Sequence, residues 1–219
     1  MKIGTDAVLL GSWVSIPGTA GLMLDIGTGT GILALMLAQR SEALIDAIEI
    51  NPVAATQAKE NIIMSPWFNR VRVFEVSLQE FIRTTDHSYD FIICNPPYFS
   101  NALKSPVQER NLARHRNALP LHELLEGTFQ LLSAHGTAAF IFPAESEFEW
   151  FREAGLHGLY PGRICHIFGK KGNKALRILV EFHRKPTPTP EPASLTIRNQ
   201  DESYTEEYKL LTSEFYLGL

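Results

Sequence analysis

Apolar residues along this chain gather in strand-length runs, and between the runs they recur at helical spacing. Leu22-Met23-Leu24, Ile45 to Ile50, Val71 to Val76 and Phe91-Ile92-Ile93-Cys94 read as strands. The last of these has no period-two alternation, as a strand covered on both faces should not. Ile32, Leu33, Leu35, Met36 and Leu37 mark one helix, and Ala54, Ala55, Ala58 and Ile62 mark another. Asn51-Pro52 announces the second, an N-cap followed by a proline in the first turn. Farther along, the pattern predicts a helix from about Leu121 to Leu132, a strand Thr137–Phe142, a helix near Glu145–Ala154 and a strand pair around Ile164–Phe168 and Leu176–Phe182. Strands alternating with helices indicate an α/β fold. Residues 185–192 carry a proline at every second position and read as an extended connector. Leu195, Ile197, Leu210, Leu211, Phe215 and Tyr216 beyond it are expected to pack back on the sheet.

A length of 219 residues with 45% hydrophobic positions fits one domain spanning 1–219. No apolar run reaches the roughly 20 residues that cross a bilayer, and the start lacks the basic-then-apolar pattern of a secretion signal. A cytoplasmic protein with no membrane partner is expected. The two cysteines, Cys94 and Cys165, stand alone without C-x-x-C or histidine spacing, which suggests neither a disulfide framework nor a metal site.

The richest chemistry follows the Phe91–Cys94 run, at Asn95-Pro96-Pro97-Tyr98. Two consecutive prolines end the strand there. An asparagine carbonyl and a backbone carbonyl held by the proline-locked turn offer two acceptors for the hydrogens of a planar –NH2 group, and Tyr98 offers a stacking face. The lone pair of such an amine is delocalised into a π-system. Acceptors that favour its localised, pyramidal form stabilise the transition state for its alkylation without a strong base. Taken alone, the tetrapeptide also suits an ordinary Pro-Pro turn with Tyr98 anchored in the core.

A second motif narrows the reading. Asp25-Ile26-Gly27-Thr28-Gly29-Thr30-Gly31 runs from a strand through a glycine turn into a helix. Its glycines allow positive φ and close approach of a cofactor to the backbone. The spacing is G-x-G-x-G, with Ile32 where a dinucleotide fingerprint has its last glycine, which disfavours NAD. Asp25 could meet a cationic ligand directly or through water. Glu49 ends the next strand about twenty residues after the turn, the distance at which a carboxylate takes ribose hydroxyls.

DIGTGTG, IEIN and NPPY, in that order, resemble the class I S-adenosylmethionine-dependent methyltransferases. Within them, the segments Lys2 to Trp13, Arg110 to His115 and Tyr204 to Leu217 resemble the bacterial tRNA1(Val) adenine-37 N6-methyltransferases. NPPY is shared with enzymes acting on DNA adenine, ribosomal guanine and a release-factor glutamine, so the flanking segments carry this narrower likeness. It covers essentially the whole chain. It implies a Rossmann-like fold, a seven-stranded, mostly parallel sheet in the order 3-2-1-4-5-7-6 with helices on both faces. It also implies a catalytic set of Asn95, Pro96, Pro97 and Tyr98. S-adenosyl-L-methionine would be held by Thr5, Asp25, Gly27, Thr28, Gly29, Gly31, Glu49, Ser77, Leu78 and Asn95. Many relatives have an acid after the third strand, where this chain has Ser77-Leu78. Members usually have more residues ahead of the Lys2–Asp6 segment, so an N-terminal strand pair is expected to be missing.

A formal charge of −4 argues against a nucleic-acid partner until its distribution is considered. Lys104, Arg110, Arg114 and Arg116 follow the catalytic motif with only Glu109 opposing them, and Arg163, Lys170, Lys171, Lys174 and Arg177 gather around the last strand pair. Both groups could form a basic track for tRNA phosphates around a flipped base. The favoured function is methylation of the 6-amino group of a tRNA adenine, by a monomer or weak dimer. Two alternatives stay open: N5-methylation of a protein glutamine amide, and a non-catalytic, cofactor-bound RNA-binding protein.

Overall fold

The computed structural model describes residues 4–97, 119–186, 188 and 191–216. Helix α1 (Thr5–Trp13) precedes β1 (Leu22–Ile26), α2 (Ile32–Arg40), β2 (Leu44–Glu49), α3 (Pro52–Ile63), β3 (Val71–Glu75), α4 (Leu78–Thr84) and β4 (Tyr89–Cys94). After them come α5 (Leu121–Leu131), β5 (Leu132–Pro143), α6 (Glu147–Leu156), β6 (Tyr160–Lys170), β7 (Ala175–His183), β8 (Ala193–Arg198) and α7 (Glu206–Thr212).

The strands form one sheet in the order β3-β2-β1-β4-β5-β7-β6-β8. Its first seven positions match the order implied by the resemblance. The eighth strand corrects it: Ala193–Arg198 pairs parallel with β6, from Cys165↔Ala193 to Lys170↔Arg198. Leu195 is buried and Ile197 half-buried between polar Ser194, Thr196 and Arg198, an alternation too short to stand out after a proline-rich stretch. β7 is antiparallel to both β5 and β6, and all the other pairings are parallel. The carboxyl ends of β1, β2, β4, β6 and β8 therefore share one edge with the start of β7.

Burial on both faces explains the unbroken apolar run of β4, where Phe91, Ile92 and Ile93 are wholly inaccessible. Phe91 and Ile93 join Leu9, Leu10, Met36, Leu37 and Tyr208 in one core, which seats α1, α2 and α7. Ile92 joins Leu78, Phe81, Leu124, Leu125 and Trp150 in the other, under α4, α5 and α6. Trp150 stacks on Phe142 with ring centres 4.3 Å apart. In the tail, Tyr216, Phe215 and Leu211 pack on the first core, but Leu210 is exposed, contrary to expectation, because α7 turns that position outward. Helix α5 begins where expected, while β5 is longer than its apolar run and reaches back to Leu132 by pairing with Tyr89.

Helix α1 runs alongside β7, in the same direction, and is pinned at both ends. Asp6 pairs with Arg177 of β7 at 2.9 Å. At the other end Ser15 N–H donates to the Glu181 carboxylate at 2.6 Å, and Arg163 donates to the Trp13 carbonyl at 2.9 Å. These contacts lay α1 along β7 with its first turn at the carboxyl edge. Arg163, grouped with Lys170 and Arg177 by sequence, thus belongs to the opposite edge and to a structural lock, with its guanidinium 4.1 Å from the Trp13 ring centre.

Candidate active site

β1, β2 and β4 end in one row. Ile26 lies opposite Ile48 on one side and Cys94 on the other, so the next residues along these strands, Gly27, Glu49 and Asn95, emerge side by side. Non-local register thus assembles the glycine turn, the acid and the Asn-Pro-Pro segment from three separate motifs.

Gly27 and Gly29 have φ of 71° and 58°, and Gly31 caps α2 at φ 83°, the left-handed region that side chains resist. Gly27 and Thr28 N–H both donate to the Ile48 carbonyl, at 2.9 and 3.0 Å. Asn61 Nδ2 holds the Thr30 carbonyl at 2.8 Å, tying the turn to α3. Asn51 Oδ1 caps α3 at Val53 and Ala54, as its position before Pro52 predicts.

The Glu49 carboxylate bridges this loop to its own strand end. One oxygen accepts the Gly29 N–H at 2.9 Å and the other the Asn51 N–H at 2.8 Å. Each oxygen retains a second lone pair for hydroxyl donors. Asp25 is fully buried, and one of its oxygens accepts from Thr28 Oγ1 at 2.5 Å and from Ala34 N–H at 3.1 Å. Its other oxygen, Oδ1, has no hydrogen-bond partner. Burial, with a smaller contribution from Glu49, drives the carboxyl up to about 7. A buried acid with one unsatisfied oxygen suits a cation arriving from the turn side, which is the charge carried by the ammonium and sulfonium of the implied cofactor. Cys94, behind Asn95, is buried and its thiol is pushed well above the ordinary range, which makes it an inert core residue.

Ser77 spends its hydroxyl on the N-cap of α4, accepting from Glu80 N–H at 3.2 Å. Leu78 buries its side chain in the core, and its N–H, the first of α4, has no acceptor within the helix. Pro96 is half-buried and Pro97 exposed. Tyr98, Lys104, Arg110, Arg114 and Arg116 lie outside the described residues. Among the described residues, no group of three or more histidine, cysteine, aspartate or glutamate side chains is placed to hold a metal ion, and no helix is long and apolar enough to cross a membrane.

Thr5 lines a separate cleft of about 250 Å3, walled by Asp6, Leu9, Ile167, Leu176, Arg177, Ile197, Arg198, Tyr204 and Tyr208, with no residue of the glycine turn. Sequence reasoning missed Arg198 because β8 itself was missed. Another cleft of about 580 Å3 runs along the outer edge of β3 against the end of α4, and none of the motif residues lines it. Its size therefore says nothing about the chemistry.

Residues 3–130 match the family model described as methyltransferase small domain. A tRNA1(Val) (adenine(37)-N6)-methyltransferase of Parabacteroides distasonis is 42% identical over 219 residues, covering 100% of this chain and 92% of that protein. One of Bacteroides fragilis is 43% identical over 223 residues with the same coverage of each. Among solved structures, a predicted O-methyltransferase from Agrobacterium tumefaciens superposes with a TM-score of 0.70 at 19% identity, covering 95% of this chain and 96% of its own. The ribosomal protein L11 methylase of Lactobacillus delbrueckii gives 0.57 at 17% identity, covering 82% and 77%. At those identities the structural likeness concerns the fold.

Proposed function

We propose that this chain, which belongs to the methyltransferase small domain family and within it to the tRNA1(Val) (adenine(37)-N6)-methyltransferases, methylates the 6-amino group of adenine 37 in valine tRNA with S-adenosylmethionine as donor. The observation that carries the reading is the single row formed by Gly27, Glu49 and Asn95 at the carboxyl edge. In an open α/β sheet, ligands bind outside the carboxyl ends of the strands.

Bound in this row, the cofactor supplies an electrophilic methyl group on a sulfonium. Glu49 would hold its ribose hydroxyls while keeping the Gly29 amide in place. Asp25 would stabilise its positive charge from beneath the turn, and the Ser77–Leu78 corner would meet its adenine with the Leu78 N–H. Thr5 would border the cofactor from the start of α1. Asn95 Oδ1 and the Pro96 carbonyl would accept the two hydrogens of the target amine. As the nitrogen becomes tetrahedral and positive, both hydrogen bonds strengthen, so they favour the transition state over the bound substrate. Tyr98 would stack on the flipped base. No side chain need take a proton before the nitrogen attacks, because the amine is neutral and its proton becomes acidic only after methylation.

The reading takes residues 1–219 as one domain working in the cytoplasm as a monomer or weak dimer, with Lys104, Arg110, Arg114 and Arg116 on the tRNA backbone. Incubation with cofactor labelled in its methyl group, and either bulk tRNA or a bulk protein extract, tests it. Label in tRNA, recovered as N6-methyladenosine by nucleoside mass spectrometry, supports the proposal. Label only in protein would replace it with glutamine methylation, and label in neither would leave a binding protein.

A further inference from the structure

The carboxyl edge does not end at the methyl-transfer row. β6 and β8 run parallel to β1 and β4, so their ends, with Lys170 and Arg198, open on the same edge as Asn95. Between them and the start of α1 lies the cleft of about 250 Å3. That is below the roughly 300–1,000 Å3 of pockets for drug-sized ligands, and suits a single flat ring system.

Its composition is two-sided. Leu9, Ile167 and Tyr208 are buried and form an apolar floor. Cations line the rim. Arg198 sits over the Tyr204 ring, its guanidinium carbon 4.2 Å from the ring centre, and donates to Tyr204 Oη at 3.0 Å. Tyr204 is itself stacked on Tyr208 at 5.0 Å, so the guanidinium plane is held by a column of two rings. Arg198 makes no ion pair with the carboxylates of the described residues, whereas Arg177 is matched by Asp6 and Lys170 by Glu202. Lys171 and Lys174 are exposed in the turn between β6 and β7, just outside the cleft. A planar, uncompensated cation beside an apolar floor, with lysines beyond, pairs an aromatic-sized site with an anion site. Nucleotides have that make-up: bases stack on arginine planes, and phosphates go to lysines.

We propose that this cleft receives a second nucleotide of the RNA substrate, its base on the apolar floor beside the Arg198–Tyr204 stack and its phosphate toward Lys171 and Lys174. The substrate would then be gripped at two points on one edge, the target adenine at Asn95 and another base at β8. The inference rests on RNA being the substrate.

Two variants of the full chain test it by different routes. Arg198→Gln removes the charge and the plane but can still bond to Tyr204. Leu176→Trp fills the cleft from its exposed wall and deletes no hydrogen bond. Affinity for an unmodified valine tRNA transcript is read by fluorescence anisotropy, beside cofactor affinity by calorimetry, thermal melting and steady-state methylation. Both variants should weaken RNA binding about tenfold, the loss of one stacked base, and raise KM for tRNA, while cofactor affinity and melting stay put. The log–log salt slope should hold in both variants, because the phosphate is assigned to Lys171 and Lys174 and not to Arg198. Unchanged RNA affinity in both variants, beside a wild type that methylates tRNA, would overturn the second grip and leave the activity intact. Loss of cofactor affinity in either variant would assign the cleft to the cofactor through Thr5 and equally overturn it. A wild type that binds tRNA through this cleft but methylates no RNA would sink the activity and keep the grip.

Discussion

The Glu49 carboxylate accepts the backbone N–H of Gly29 at 2.9 Å, so the end of β2 holds the glycine turn that follows β1. The same carboxylate is proposed to hold the cofactor ribose, which makes it both a brace and a ligand. Glu49→Ala should weaken S-adenosylhomocysteine binding by roughly tenfold to a hundredfold, the range for losing charge-assisted hydrogen bonds. Glu49→Gln, which keeps one acceptor, should fall between. Calorimetry checks both, and wild-type affinity in the alanine variant would remove Glu49 from the site.

Asp25 brings a pH dependence. Its folded value, up to about 7, lies above the ordinary 3.8, so in that window the folded state binds a proton the unfolded chain has released. Stability from this group is therefore full below the ordinary carboxylate value and is lost as pH rises through about 7. A displacement of that size corresponds to about 4 kcal/mol. Between about pH 5 and about pH 8 the melting temperature of the cofactor-free protein should fall more steeply than that of Asp25→Asn, which cannot titrate. A cationic cofactor favours the ionised acid, so its binding below neutrality should release a proton. Binding enthalpies that do not change with the ionisation enthalpy of the buffer would contradict this.

Asn95→Ala should lower kcat by roughly two to three orders of magnitude, the effect of removing one preorganised transition-state hydrogen bond. Cofactor affinity should change far less. Tyr98→Ala should raise KM for tRNA, and Tyr98→Phe should be mild, because the ring is the part used. Single-turnover kinetics with saturating cofactor separates the steps, and a normal methyl-transfer rate in Asn95→Ala would remove that residue from catalysis.

Replacing Arg110, Arg114 and Arg116 together by alanine should raise KM for tRNA and flatten its salt dependence, each lost phosphate contact lowering the log–log slope by about 0.7 to 0.9. Melting temperature should hold. A lowered melting temperature with an unchanged slope would make these arginines structural.

Arg163 should behave in the opposite way. It is bound to Trp13 O, Ser15 Oγ and the buried Glu181, so Arg163→Ala leaves Glu181 short of its cationic partner. A loss of about 1–3 kcal/mol is expected, seen as a drop in melting temperature of about 2–4 °C per kcal/mol. The salt slope for tRNA should not move. A changed slope with normal melting would return Arg163 to the RNA surface.

Local chemistry was legible in the chain itself. The double-sided burial of Phe91–Cys94, the glycines at positive φ, the cap at Asn51 and the break at Pro96-Pro97 each depend on one residue and its near neighbours. Sequence spacing therefore displays them. The order of the first seven strands came from likeness to a family, since no periodicity states which strand pairs with which. Register and strand polarity are non-local, and they decided the rest. They placed Glu49 and Asn95 on either side of Gly27 and buried Asp25 beneath the turn. They also sent Arg163 and Arg177, neighbours in a basic stretch, to opposite edges of the sheet, because β6 and β7 are antiparallel and each residue lies near the start of its strand. Arg198 and Tyr204 could meet the start of α1 only once β8 had paired with β6, a contact whose energy comes from burial against distant elements and leaves no local trace in the sequence.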